Sequence, residues 1–142
     1  MYVLDTDHMS LLYRASSIEA HRLRKRLNAL LSDKDAATTI ISFEEQMRGW
    51  LARIPNSRHL TEQVEVYRRL NETLQRYCQI TVLDFDDRAV TQFEQLQKQR
   101  LRVGTMDLKI AAIAIANNAT LLSRNLKDFG KIPTLQVEDW AA

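Results

Sequence analysis

Short apolar, β-branched runs alternate along this chain with longer stretches of helical spacing, and few folds accommodate that alternation. The runs are Tyr2 to Leu4, Ala36 to Ile41, Ile80 to Leu83, Thr120 to Leu122 and, more weakly, Thr134 to Val137. Between them the apolar residues fall on one side of a helix: Leu23, Leu27, Leu30 and Leu31; Val64, Tyr67, Leu70, Leu74 and Tyr77; Val90, Phe93, Leu96 and Leu101. Strands separated by helices of this length run parallel, joined by right-handed crossovers that cover both faces of the sheet. The segment from Ile110 to Ala116 is apolar nearly all round, and its small side chains let a helix lie close to the sheet. The expected fold is α/β, a three-layer α/β/α arrangement with a parallel sheet of four to five strands. No linker, repeat or low-complexity segment interrupts the 142 residues, so 1–142 reads as one domain.

Composition excludes several classes. With 45% hydrophobic and 27% charged residues, three Gly and two Pro, the chain is neither disordered nor fibrous. The longest apolar stretch, Ile110 to Ala116, is far short of the roughly 20 residues of a membrane span. The start, Met1-Tyr2-Val3-Leu4-Asp5, lacks the basic and long apolar regions of a secretory signal. Cys78 stands alone, which rules out an internal disulfide and fits a reducing compartment. A cytoplasmic location is expected. The net charge of +2 does not by itself mark a nucleic-acid binder. Two basic runs, Arg22 with Arg24, Lys25 and Arg26, and Lys98 with Arg100 and Arg102, read as solvated helix faces.

In an open parallel α/β sheet, ligands bind beyond the C-terminal ends of the strands. The residues expected there are acidic. Asp5, Thr6 and Asp7 follow the first run; Ser42, Phe43, Glu44 and Glu45 follow the second; Asp107 opens the apolar helix; Ser123, Arg124 and Asn125 follow the fourth run, with Asp128 just beyond. Each has an ordinary explanation. Ser42 and Glu45 fit a capping box, Asp107 suits the positive end of a helix dipole, Asp7 or Thr6 fits a helix cap, and so does Asn125. Caps do not require convergence, however, whereas three carboxylates at one sheet edge repel and raise one another's pKa. A divalent cation among them removes that cost. The donors are carboxylates plus an amide, with no Cys or His at zinc-like spacing, and hard oxygen donors suit Mg²⁺ or Mn²⁺. Such ions commonly work on phosphates, so the implied chemistry is phosphodiester hydrolysis by an activated water.

The segments Tyr2-Val3-Leu4-Asp5-Thr6-Asp7, Ile41 through Gly49, Asp107 through Ala114, and Leu121 through Phe129 together resemble the PIN-domain family, and within it the VapC-type toxins of bacterial toxin–antitoxin pairs. The four blocks occur in the family's order and span nearly the whole chain. The resemblance implies a PIN-like nuclease domain over 1–142: an Mg²⁺- or Mn²⁺-dependent endoribonuclease. It implies metal ligands at Asp5, Glu45 and Asp107, with Asn125 completing the catalytic set. Glu45 is chosen over Glu44 because it lies four residues before Gly49. Helical neighbours point about 100° apart, so only one of the pair faces a site well. Asn125 stands where the family carries Asp or another polar residue, and Ser123 where it often has Thr. Asp7 and Ser10 are expected as outer ligands. An RNA substrate, a cognate antitoxin and a homodimer are likewise implied by the resemblance alone.

Two other readings compete. Asp5-Thr6-Asp7 after a strand is similar to the nucleophile motif of haloacid-dehalogenase-like phosphatases, but Lys127 is poorly placed for that chemistry and no acidic pair directly follows the fourth strand. Asn125 leaves room for a catalytically idle PIN-like module that binds RNA or serves assembly. His8, His21 and His59 read as surface or capping residues, Cys78 as a buried small hydrophobe, and Asp84, Asp86 and Asp87 as caps of the following helix. Trp50 and Met47 read as core or dimer contacts; Arg48, Arg53 and Arg124 as phosphate or antitoxin contacts.

Overall fold

Val3 and Leu4, neighbours on the first strand, bury their side chains in two different apolar cores, and this alternation organises the molecule. The computed structural model describes residues 1–142. In chain order it comprises β1 (Tyr2–Leu4), α1 (Thr6–Leu12), α2 (Ile18–Asn28), β2 (Ala36–Thr39), α3 (Ile40–Arg53), α4 (Leu60–Cys78), β3 (Thr81–Leu83), α5 (Asp87–Lys98), α6 (Thr105–Ala116), β4 (Thr120–Leu122), α7 (Leu126–Phe129) and β5 (Val137–Glu138). The strands form one sheet in the order β3-β2-β1-β4-β5, with every pair parallel.

On one face Val3, Ala37 and Leu121 meet Ala89 and Leu96 of α5 and the run Ile110 to Ala114 of α6. On the other, Leu4 and Leu122 meet Met9 and Leu11 of α1, Ala20 and Leu23 of α2, Tyr77 of α4 and Trp140. The three-layer expectation therefore holds, with five strands. A sheet covered on both faces needs strands that are apolar in succession rather than alternating, as Val3-Leu4 and Leu121-Leu122 are. Helix α6 packs against both α5 and β4 and buries every residue from Ile110 to Ala114, which is why its sequence shows no polar face. No helix is long and apolar enough to cross a membrane.

The chain runs outward from β1 through β2 to β3, then returns past β1 to β4 and β5. Strand order reverses between β1 and β4, and the connections leaving their C-terminal ends diverge there, which opens a crevice. Everything that follows β1 and β4 is delivered to that crevice.

Three local expectations are corrected. The second strand ends at Thr39 rather than Ile41, because the Thr39 hydroxyl accepts the Ser42 N–H at 3.1 Å and starts α3 at Ile40. Ser42 and Glu45 thus do not open the helix: Ser42 is buried within its first turn, and Glu45 lies one turn further along. Cys78 ends α4 exposed rather than buried. Asp86 does cap α5, accepting from Ala89 N–H at 3.0 Å. Thr39 holds the element that carries Glu45, so Thr39→Val, which keeps the shape and loses the cap, is expected to lower unfolding stability by about 1–2 kcal/mol. A urea denaturation curve reads this directly, and an unchanged midpoint would show that α3 starts without its cap.

Candidate metal centre

Asp5 is the first residue beyond β1, and its N–H donates to the Leu122 carbonyl at 3.1 Å, so the end of β1 is tied to the end of β4. One of its carboxylate oxygens, Oδ1, caps α1 by accepting from His8 N–H at 2.8 Å. Ser123, just beyond β4, also bonds this carboxylate. Glu45 arrives from α3, where the Thr6 hydroxyl donates to its Oε1 at 2.7 Å. Asp107 comes from the first turn of α6. Asp5, Asp7, Glu45, Asp107 and Asn125 line one cleft of about 320 Å³ with Thr6, Ser10 and Phe129.

Electrostatics in this cleft is unfavourable without a cation. Asp5 is 6% exposed. Burial pushes its carboxyl up to about 7, with the charges of Asp7 and Asp107 adding to the rise and hydrogen bonds from Ser123 and His8 N–H opposing it. Burial also raises Asp107, reinforced by Glu45 and Asp128. No Lys or Arg lines the cleft.

Other predicted residues have different engagements. Asp7 is held by Arg124 through two bonds of 2.6 Å, which pull its carboxyl below the usual range. That ion pair occupies both oxygens expected to assist as an outer ligand. The Ser10 hydroxyl accepts from Gln46 at 2.7 Å on the cleft wall. Asn125 caps α7, accepting from Asp128 N–H at 3.3 Å while its amide donates to Asp128 Oδ2 at 3.1 Å. Both ends of the amide face Asp128, whose charge is what reaches Asp107.

His8 departs furthest from expectation. It is wholly buried, with Nδ1 3.6 Å from Asp5 and 3.9 Å from Asp7, and Nε2 3.8 Å from Asp139. Neither ring nitrogen makes a hydrogen bond. Burial lowers its pKa, so it stands neutral against the back of Asp5. The signal was present in sequence: His8, Leu11 and Leu12 share a helix face, which turns inward. Thr6 was also missed as the residue that orients Glu45, since no spacing rule links positions so far apart in the chain.

Two donor sets meet at Asp5. Asp5, Asp7 and His8 bring ligand atoms within 4.8 Å of one another. In that group His8 is sealed in and both Asp7 oxygens are bonded to Arg124, although Asp7 itself reaches the cleft. The set Asp5, Glu45 and Asp107 opens on the cleft and offers only oxygen, which suits a hard divalent ion that keeps several waters.

Known proteins resemble this chain in sequence and in fold. The PIN domain family matches residues 2–135. Among curated relatives, Ribonuclease VapC2 of Rickettsia felis is 48% identical over 46 residues, which is 32% of this chain and 34% of the relative. The matched stretch thus spans about a third of the length of the curated relatives. Solved structures align far more completely. A chain of Rickettsia felis VapBC2, bound to a promoter DNA fragment, superposes with TM-score 0.68 at 27% identity, covering 98% of each chain. A chain of VapBC-1 from nontypeable Haemophilus influenzae superposes with TM-score 0.71 at 26% identity, covering 99% of this chain and 98% of that one.

Proposed function

The chain belongs to the PIN-domain family, and from that membership we propose that it is a divalent-metal-dependent endoribonuclease, the toxin of a toxin–antitoxin pair. One observation carries the reading: carboxylates from the end of β1, from α3 and from α6 line a single cleft at the point where strand order reverses, and no Lys or Arg side chain lines it. The relatives and neighbours named above, a VapC ribonuclease and VapBC assemblies, supply the substrate and partner classes: RNA, and an antitoxin protein.

Asp5, Glu45 and Asp107 are the residues that would hold Mg²⁺ or Mn²⁺. When bound, such an ion offsets charge on the phosphoryl oxygens and makes a water acidic enough to serve as nucleophile at neutral pH. The chain's own residues do the rest. Thr6 fixes the Glu45 carboxylate towards the cleft. The helix cap fixes Asp5. Asn125 forms a neutral polar wall, braced by Asp128, that does not repel a phosphate. The homodimer, the single nuclease domain over 1–142 and the cytoplasmic setting belong to the same proposal.

The phosphatase alternative loses its second acid, because Asp7 is committed to Arg124. The test is cleavage of RNA in EDTA and after addition of Mg²⁺ or Mn²⁺, followed alongside thermal melting. Cleavage is expected only with the ion. Melting should rise by the equivalent of about 2.7 kcal/mol at an ion concentration roughly a hundredfold above Kd. A rise in melting with no cleavage of varied RNAs would favour the idle-module reading that Asn125 permits.

A further inference from the structure

Beside the acidic cleft lies a second hollow of about 480 Å³, and Ser10 belongs to the walls of both. Its lining is opposite in charge. Arg14, Arg53, Arg69 and Arg76 surround it, no carboxylate lines it, and Tyr13 and Trp50 supply the aromatic surface. Arg69 is paired with Glu65 at 2.9 Å, and Arg76 stands 3.6 Å from Glu72. Arg14 and Arg53 have no carboxylate partner. The Arg76 guanidinium lies over the Tyr13 ring at 4.5 Å and that of Arg53 over Trp50 at 5.1 Å, while Trp50 Nε1–H donates to Thr73 at 3.0 Å. The aromatic rings and their guanidinium covers are therefore held in place rather than loose.

We propose that this arginine-lined hollow is a nucleotide subsite, binding the phosphate and base adjacent to the bond cleaved in the neighbouring cleft. The proposal rests on the nuclease reading above and names the surface that selects its substrate. Guanidinium groups bind phosphate oxygens in a fork geometry, and guanidinium or aromatic planes stack unpaired bases, which is how single-stranded RNA is read. The shared Ser10 wall, itself bonded to Gln46 of the hollow, puts one side chain's width between the two compartments. Consecutive phosphates of one strand then meet an acidic, ion-requiring cleft and a basic hollow in turn. An acidic peptide answers only the guanidinium groups of the hollow, whereas RNA also brings unpaired bases to the planes of Tyr13 and Trp50.

The test measures binding separately from cleavage. Fluorescence anisotropy of a short labelled single-stranded RNA, in EDTA so that nothing is cut, compares the parent with Arg14→Gln and Arg53→Gln. Each is expected to weaken binding about tenfold, and to shrink the slope of log affinity against log salt by about 0.7 for each lost phosphate contact. Arg14→Lys keeps the charge and should retain most of the affinity, which separates lost binding from a lost fold. Trp50→Leu should weaken binding about fivefold or more if a base stacks there. Unchanged affinity and salt slope in both Gln variants would overturn the subsite while leaving metal-dependent cleavage untouched. Loss of binding in those variants, from a parent that cuts no RNA, would uphold the subsite and sink the nuclease reading. Displacement of the RNA by polyglutamate at matched charge would overturn it in favour of an acidic protein ligand.

Discussion

Asp5→Asn and Asp107→Asn are each expected to lower RNA cleavage by about a thousandfold and leave the protein folded. The electrostatic share of metal-assisted phosphoryl chemistry is several kcal/mol, and about 4 kcal/mol corresponds to three decades in rate. Both substitutions are isosteric and remove one negative charge from the ligand set. Asn is as good a helix cap as Asp, so Asp5→Asn keeps the bond from His8 N–H that starts α1. At Asp107 the loss of an acid from the first turn of α6 costs about 0.3–1 kcal/mol against the helix dipole, offset by relief of repulsion from Glu45 and Asp128. The control is Glu44→Gln. Glu44 pairs with Arg48 on the same helix and does not line the cleft, so cleavage should stay within about twofold. Cleavage by both Asp variants at the parental rate, with the ion still required, would mean the catalytic ion is held elsewhere.

That control turns on a distinction the sequence could make only by spacing. Glu44 and Glu45 are chemically equal, and the choice of Glu45 depended on helical geometry and on resemblance. The structure brings Glu45 to the cleft through Thr6, a contact between residues distant in sequence that no local pattern encodes. Asp5 and Asp107 were legible because their reason is topological: an acid directly after a central strand, and an acid in the first turn of a helix facing that strand's end, are delivered to one crevice by the parallel fold. The same logic made the layers legible, since Val3-Leu4 and Leu121-Leu122 are apolar in succession and only a sheet covered on both faces buries both members. What escaped was decided by tertiary contacts. Arg124 was read as a phosphate contact, yet its bidentate bonds to Asp7 span the distance from β4 to α1. His8 was read as a surface residue because a polar type outweighed its place on an apolar face. The arginine hollow has no linear signature at all, for its residues come from α1, its C-terminal end, α3 and α4.

The pH dependence of stability is expected to expose the frustration at Asp5. Its carboxyl titrates near 7 in the fold against 3.8 for the free side chain, chiefly through burial. An acid whose pKa is raised by folding holds its proton longer in the folded state. Its contribution is therefore fully present below about pH 4 and is lost as pH rises through 7. The whole span is on the order of 4 kcal/mol, at 1.36 kcal/mol per unit. Asp107 shifts in the same sense. His8, with its pKa lowered by burial, acts oppositely: the stability of its neutral form is lost as pH falls below the ordinary histidine range. A melting profile of the parent alone would blend these effects, so the readout is the difference between parent and Asp5→Asn, both free of metal. Asp5→Asn should gain on the parent by about 2–3 kcal/mol between roughly pH 5 and pH 8. Saturating Mg²⁺ should cancel most of that gain, because the ion stabilises the ionised carboxylate that burial disfavours. Binding of the ion at about pH 6 must then expel a proton, seen as a buffer-dependent heat in titration calorimetry that vanishes at about pH 8.5. A difference profile flat in pH would mean that the Asp5 carboxylate is already stabilised in the metal-free fold, and the need for a cation argued from its burial would fall.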